Sequence, residues 1–304
     1  MTASANALLG TVVDVLALLA LPPLLLGVIN RVKAIAGGRR GQPLLQPYHD
    51  LLRLMRKGMV FSETTTWIFR AAPLVTLVAT LLAGLLVPLG GGAGRIGFEG
   101  DLVLFVYLFA VGRFFTTAAA LDTGSPFEGM GAAREVTWAL LTEPAIFFVL
   151  LSLATLSDSL SLDTMLLAPA TGHVATLVLS AVGLFVVLLV ECSRVPFDDP
   201  NTHLELTMVH EVMVLDHSGP LFGAILYGAA MKLFILSTFL VRLALPTLDD
   251  PWAGRGVALA GVLGIAALIG VVESATARVR LSRVPNLIAG AALITAVGFL
   301  LAVR

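Results

Sequence analysis

Eight apolar runs, near positions 8–30, 69–90, 101–121, 135–156, 173–192, 219–244, 257–273 and 285–303, leave this chain little freedom in what it can fold into. Each is close to the roughly 20 residues that a helix needs to cross about 30 Å of hydrocarbon. In that medium no water reaches the backbone, so only helices and closed barrels survive. The runs lack the period-two alternation of barrel strands. The expectation is an all-α, polytopic integral membrane protein: a single transmembrane domain over 1–304 with about eight spans. Composition agrees, since 58% of the residues are hydrophobic and 13% charged, too apolar a balance for a solvated surface.

Loop charges set the expected orientation, because Lys and Arg near span ends favour the cytoplasmic side. Arg31, Lys33, Arg39, Arg40, Arg53, Arg56, Lys57 and Arg70 lie between runs one and two, and Arg278, Arg280 and Arg283 between runs seven and eight. The alternate loops carry only Arg95 and Arg255. Both termini are therefore expected outside. The opening MTASANALLG has no Lys or Arg, so the first run reads as a retained span and not a cleaved signal. A net charge of -1 offers no broad field for nucleic acid.

In the first cytoplasmic loop, about 44–59, Leu44, Leu45, Tyr48, Leu51, Leu52, Met55 and Met59 recur at helical spacing. Gln46, His49, Asp50, Arg53, Arg56 and Lys57 fill the other face, which predicts an amphipathic helix lying in the interface plane. It reads plainly as a membrane-surface anchor and more sharply as a lip under which a partner subunit docks.

The acidic loop, about 191–218, gathers most of the chemistry. Glu191, Asp198, Asp199, Glu205, Glu211 and Asp216 supply carboxylates, His203, His210 and His217 imidazoles, and Arg194 the only formal cation. Beside a bilayer such a cluster is expensive, since a charge near the membrane centre costs about 2.5–3.5 kcal/mol on insertion scales. That cost makes proton handling the default reading. If 203–211 is helical, His203, Thr207 and His210 share one face. The plain reading of the imidazoles is neutral hydrogen-bonding groups in a packed loop.

Three charges stand out inside the runs. Arg113 lies about eight residues from the inner end of its run, and Glu143 eight residues beyond Glu135, so their depths match and an ion pair is expected beside a proton-path role for Glu143. Lys232 has no acidic residue of obvious matching depth. It reads as facing a watery cavity or pairing with a carboxylate of another chain.

Other chemistries are disfavoured. His210-Glu211 is followed by Val-Met-Val, which breaks the zincin pattern. The glycine-rich stretch 90–97 lacks Gly-Lys-Ser/Thr and reads as a turn. Cys192 is the sole cysteine, so neither an internal disulfide nor a conventional iron-sulfur site is expected in this chain alone.

Glu191-Cys-Ser-Arg194-Val-Pro196-Phe-Asp198-Asp-Pro200 resembles the Glu-x-x-Arg-x-Pro-Phe-Asp-x-Pro signature of the membrane "heel" subunit of respiratory complex I. The continuation, Thr202 to Pro220, is similar to the version in membrane-bound nickel–iron (NiFe) hydrogenases of the formate hydrogenlyase and energy-converting type. Gly124-Ser-Pro-Phe-Glu128, the 41–58 helix and the loop from Arg280 to Asn286 extend the likeness over most of the chain.

The resemblance implies a subunit that clamps a hydrophilic redox arm to a bacterial or archaeal cytoplasmic membrane and couples electron transfer to H⁺ or Na⁺ translocation. Its implied partners are a NiFe-hydrogenase-like large subunit, an iron-sulfur subunit and antiporter-like membrane subunits. The NiFe centre and iron-sulfur clusters would sit on those partners, with no cofactor in this chain. Glu191, Glu205, Glu211, Glu135 and Glu143 would line a funnel into the membrane, with Lys232 on the same path. Arg194 and Asp198 would fix loop geometry through an ion pair. His203, His210, Asp216, Arg53 and Arg56 are expected at the partner interface. The alternatives are the quinone-chamber subunit of an NADH dehydrogenase and an autonomous secondary transporter. A transporter predicts internal repeats, and none is evident between the halves.

Overall fold

The computed structural model describes residues 3–90, 97–167, 173–198, 208–245, 248 and 250–304. Eleven α-helices and no strand are found among them. They are α1 (Ala3–Ala20), α2 (Pro22–Ala36), α3 (Gln46–Met55), α4 (Trp67–Leu86), α5 (Asp101–Asp122), α6 (Pro126–Ser157), α7 (Leu162–Leu167), α8 (Val174–Glu191), α9 (Gly219–Ala244), α10 (Pro251–Ala275) and α11 (Val284–Val303). The chain is an all-α, polytopic membrane protein. Seven of its helical segments are long and apolar enough to span, and a bent pair of helices makes an eighth.

That bent pair corrects the first expected span. The helix breaks by 52° between Ala20 and Pro22, where Pro22 and Pro23 supply no amide hydrogen to the preceding turn. Leu21 bridges the break by accepting from Leu24 N at 2.9 Å. The fourth span also differs, because α6 starts at Pro126, well ahead of the expected 135, and runs 32 residues. At 1.5 Å per residue that is about 48 Å, more than the hydrocarbon needs. The end of α6 that starts at Pro126 therefore extends past the span and carries Glu128 and Arg134 to the 208–217 segment. The seventh span runs beyond the expected 257–273 in both directions. Asp250 caps its start, accepting from Trp252 N (3.1 Å) and Ala253 N (3.3 Å).

α9 is the central post, packed against α2, α4, α8 and α10, and is buried over most of its length. A helix apolar all round suits that position. α4 and α5 form a hairpin tied where α4 starts and α5 ends by Asp122, which accepts from Thr66 N (2.6 Å) and Phe69 N (3.3 Å). α6, α8 and α11 form the other wall.

The amphipathic helix is shorter than expected, and it touches α9 and α2 through part of its apolar face while Leu44, Leu45, Leu52 and Met55 stay exposed. Tyr48 donates to the Ala20 carbonyl at the α1–α2 break.

Arg255, expected in an outer loop, instead lies in the first turn of α10 and is buried. Its Nε is 2.9 Å and its Nη2 3.5 Å from the carboxylate of Asp14 on α1. Breaking a buried pair leaves a charge uncompensated and costs about 3–5 kcal/mol. Asp14→Asn is expected to lower the melting temperature of the detergent-solubilised protein by several degrees. Asp14→Leu combined with Arg255→Leu should recover most of the loss; no recovery would mean that the pair is not what α1 loses.

Candidate functional site

A continuous line of charged side chains enters the bundle from the loop face. Its hub is Arg113 on α5, whose guanidinium reaches three carboxylates: Nε to Glu135 Oε1 at 3.3 Å, Nη1 to Glu143 Oε1 at 2.5 Å and Nη2 to Glu191 Oε1 at 2.6 Å. The planar five-donor fork of arginine suits such sharing, where a lysine would offer a point charge. Glu191, the last residue of α8, accepts from Lys232 Nζ on α9 at 2.5 Å through Oε2 and from Thr142 Oγ1 on α6 at 2.9 Å through Oε1. Lys232 therefore has an acidic partner within its own chain, and the sequence missed it. Depth counted along two spans misleads when one carboxylate sits at a helix end and the lysine is long enough to reach down to it.

Toward the loop the line continues. His210 Nε2 lies 3.3 Å from Glu135 Oε2, and His210 Nδ1 3.9 Å from Asp198 Oδ2. Asp198 accepts from the amides of Val209 (3.3 Å) and His210 (3.2 Å) and pairs with Arg278 Nη2 at 3.1 Å. Four spans and two loops thus meet in one network.

Two expectations need correction. Arg194 and Asp198 do not pair with each other through their side chains. Arg194 Nη1 lies 3.6 Å from Glu273 Oε1, and Asp198 takes Arg278. Residues 194–198 form a tight turn in which Asp198 N donates to Arg194 O (3.2 Å), and the two side chains part, Arg194 toward α10 and Asp198 toward the loop that follows it. Nor is 208–211 an α-helix. Glu211 opens a 3₁₀ turn, Glu211–Val214, and lies partly exposed beside His210. His203, Glu205 and Thr207 lie outside the described residues. Asp216 is exposed; Arg53 pairs within its own helix with Asp50 at 3.2 Å, and Arg56 is exposed just past it.

Sequence reasoning also gave no role of their own to three buried groups. Glu273 on α10 holds Lys33 at 2.7 Å and faces Arg194, pinning the C-terminal ends of α2 and α10 to the signature loop. Glu128 on α6 is fully buried. His217 stacks on Phe69 with ring centroids 3.9 Å apart, and its Nε2 donates to the Phe69 carbonyl at 3.3 Å. That carbonyl lost its helical donor to Pro73, four residues on, which has no amide hydrogen. Burial holds the His217 imidazole below its ordinary value. A proline four residues after a phenylalanine is the sequence signal for such an orphaned carbonyl.

The hub holds three carboxylates, Glu135, Glu143 and Glu191, against two basic side chains, Arg113 and Lys232. Glu143 is the one of the three whose side chain remains largely open, at 45% exposure. Among the described residues no group of three or more His, Cys, Asp or Glu is arranged to hold a metal ion.

A bundle of seven or eight spans with a charge line running into it from one face defines a class, the multi-pass membrane proteins built around buried ionisable groups. Within it, residues 9–304 match the sequence profile of the NADH dehydrogenase family, and the chain belongs to that family. It is 30% identical to formate hydrogenlyase subunit 4 of Escherichia coli (strain K12) over 90% of this chain and 92% of that protein. It is 28% identical to an NADH-quinone oxidoreductase subunit of Bordetella avium (strain 197N) over 64% of this chain and 57% of that one. The fold is shared with a chain of the membrane-bound sulfane sulfur reductase, an archaeal respiratory membrane complex. The TM-score is 0.83 at 21% identity, covering 98% of this chain and 99% of the other.

Proposed function

We propose that this chain is the membrane subunit of an ion-translocating oxidoreductase complex. It anchors a NiFe-hydrogenase-type arm and converts movement at the loop face into proton, or sodium, translocation. The observation that carries this reading is the hub's charge balance. Three carboxylates with two basic partners leave one negative charge over, and in a low-dielectric site the cheapest compensation is a proton. Glu143, Glu135 and the neighbouring His210 are placed to share it. His210 meets Glu135, and Arg113 joins Glu135 to Glu143, so a small displacement of the 208–217 segment by a partner would redistribute the proton along the line. Glu205 and Glu211 extend the path at its loop end.

The hydrogenase reading is preferred over the quinone-chamber one because the likeness to formate hydrogenlyase subunit 4 spans nearly all of both chains, whereas that to the NADH-quinone relative covers 57% of its length. The open side of Glu143 lies on a stripe of α6 with Val136, Leu140, Phe147 and Leu151, all exposed. An intramembrane carboxylate opens toward a protein neighbour more cheaply than toward lipid, which fits an antiporter-like membrane subunit on that face. The NiFe centre and iron-sulfur clusters would belong to subunits at the loop face, near His203, His210, Asp216, Arg53 and Arg56. Both termini would lie outside.

Two measurements test this reading. Affinity purification of the tagged chain in mild detergent should co-purify a large subunit bearing paired Cys-x-x-Cys motifs. A chain that purifies alone and transports ions in vesicles would overturn the assignment. Cysteines placed at Asp158 should label from outside in intact cells, and those at Gly38 and Ser282 only after permeabilisation; all three positions are exposed. Outside labelling of Gly38 would reverse the orientation.

A further inference from the structure

Glu128 is unused by the charge line, yet its side chain has no access to solvent. It sits at the inner end of α6, seven residues before Glu135 and 14 before Thr142 in the sequence, so all three fall on one helical face at intervals of about 10 Å. Glu128 Oε1 accepts from Asp216 N at 3.2 Å, and Oε2 is buried without a hydrogen-bond partner. No Lys, Arg or His lies within ion-pair distance of it among the described residues. The charged group facing it is Asp216, from the loop, and the hydroxyl facing it is Thr123, at the end of α5. Thr123 also reaches the Ala120 carbonyl at 2.8 Å, so its single hydroxyl hydrogen is contested between that carbonyl and Glu128.

Glu128 thus has one backbone donor, one contested hydroxyl and, among the described residues, no positive charge within ion-pair distance. A carboxyl group buried without a counter-charge is carried most cheaply as the neutral acid. Its backbone partner also matters. The loop segment 208–217 is held to α6 at three points: Met208 O accepts from Arg134 Nη1 (2.9 Å), His210 Nε2 meets Glu135 Oε2 (3.3 Å) and Asp216 N donates to Glu128. Close apposition requires Gly131, where a Cβ would sit 2.9 Å from the Val209 carbonyl.

We propose that Glu128 is a further proton-holding residue of this protein, an acid at the loop end of α6 whose gain or loss of a proton is tied to the docking of the 208–217 segment. The proposal rests on the proton reading of the charge line and extends it by one group. When the segment lifts, Glu128 loses its amide donor and meets water, and its proton becomes free to leave. When the segment closes, the proton is held again. The carboxyl group is the same in both states apart from one O–H bond, and the proton exchanges with water at the loop face.

The test uses the intact complex. Difference infrared spectra of the wild type should contain a hydrogen/deuterium-sensitive carbonyl stretch of a protonated carboxyl group that is absent from Glu128→Gln. The amide oxygen of Gln still accepts from Asp216 N, so the segment should stay docked. In sealed vesicles Glu128→Gln should slow gradient formation severalfold at unchanged dye-linked hydrogenase activity, while Glu128→Asp, which can still titrate, should restore part of it. Persistence of the acid band in Glu128→Gln, or loss of a carboxylate band in its place, would overturn the proposal. Wild-type gradient formation in Glu128→Gln would do the same. These failures are separable from failure of the functional reading, because the infrared band reports Glu128 whether or not the complex pumps.

Discussion

Glu191→Gln is expected to reduce gradient formation at least tenfold while electron transfer from artificial donors to the partner's metal centre continues near the wild-type rate. Glu191 joins the hub's two cations, with Arg113 at 2.6 Å on one oxygen and Lys232 at 2.5 Å on the other. A glutamine has the same size but one acceptor oxygen and no charge, so it can serve one cation and must turn its NH₂ toward the other. The line from His210 to Lys232 is then cut at its inner junction. Glu205→Gln, outside the described residues, is expected to act in the same direction. The comparison is dye-linked hydrogenase activity against pH-gradient formation in sealed vesicles of the purified complex. Loss of dye-linked activity in an assembled complex would place Glu191 at the redox site, and an undiminished gradient in both variants would sink the proton path.

The spans and their number are legible in the sequence because hydrocarbon imposes one rule on every residue of a run, and local composition suffices to read it. What is not legible depends on contacts between runs. Pro22 and Pro23 are visible, but the 52° break they cause is hidden inside an unbroken apolar stretch. Arg113 and Glu143 can be matched by depth since both sit mid-run. Glu191 as the partner of Lys232 cannot, because it depends on how far α8 stops short of the depth of the α9 lysine. Arg255 reads as a loop charge because it precedes the apolar run near 257–273, whereas Asp250 and Pro251 start the helix before it and Asp14 draws it inward. Glu128 belongs to the Gly124–Glu128 motif but has no role there, since nothing in the sequence reveals that the 208–217 segment covers it.

Arg113→Leu is expected to reduce the amount of assembled subunit in the membrane tenfold or more. Three carboxylates within 3.3 Å lose their shared cation at once. Removing one partner of a buried pair costs about 3–5 kcal/mol, and a loss of about 1–2 kcal/mol already changes cellular abundance severalfold. Arg113→Lys should be intermediate, because an ammonium can hold one or two of the carboxylates but not fork to all three. Combining Arg113→Leu with Glu143→Leu should recover part of the loss and no more, since Glu135 and Glu191 stay behind and only Glu191 keeps a second cation, Lys232. The coupling between the two sites should fall in the range of about 0.5–3 kcal/mol typical of residues in one network. Quantitative immunoblotting of membranes and thermal unfolding of the purified complexes give the four corners of the cycle. Additive losses at Arg113 and Glu143 would mean that the 2.5 Å contact carries no energy, and the hub would then be held by Glu135 and Glu191 alone.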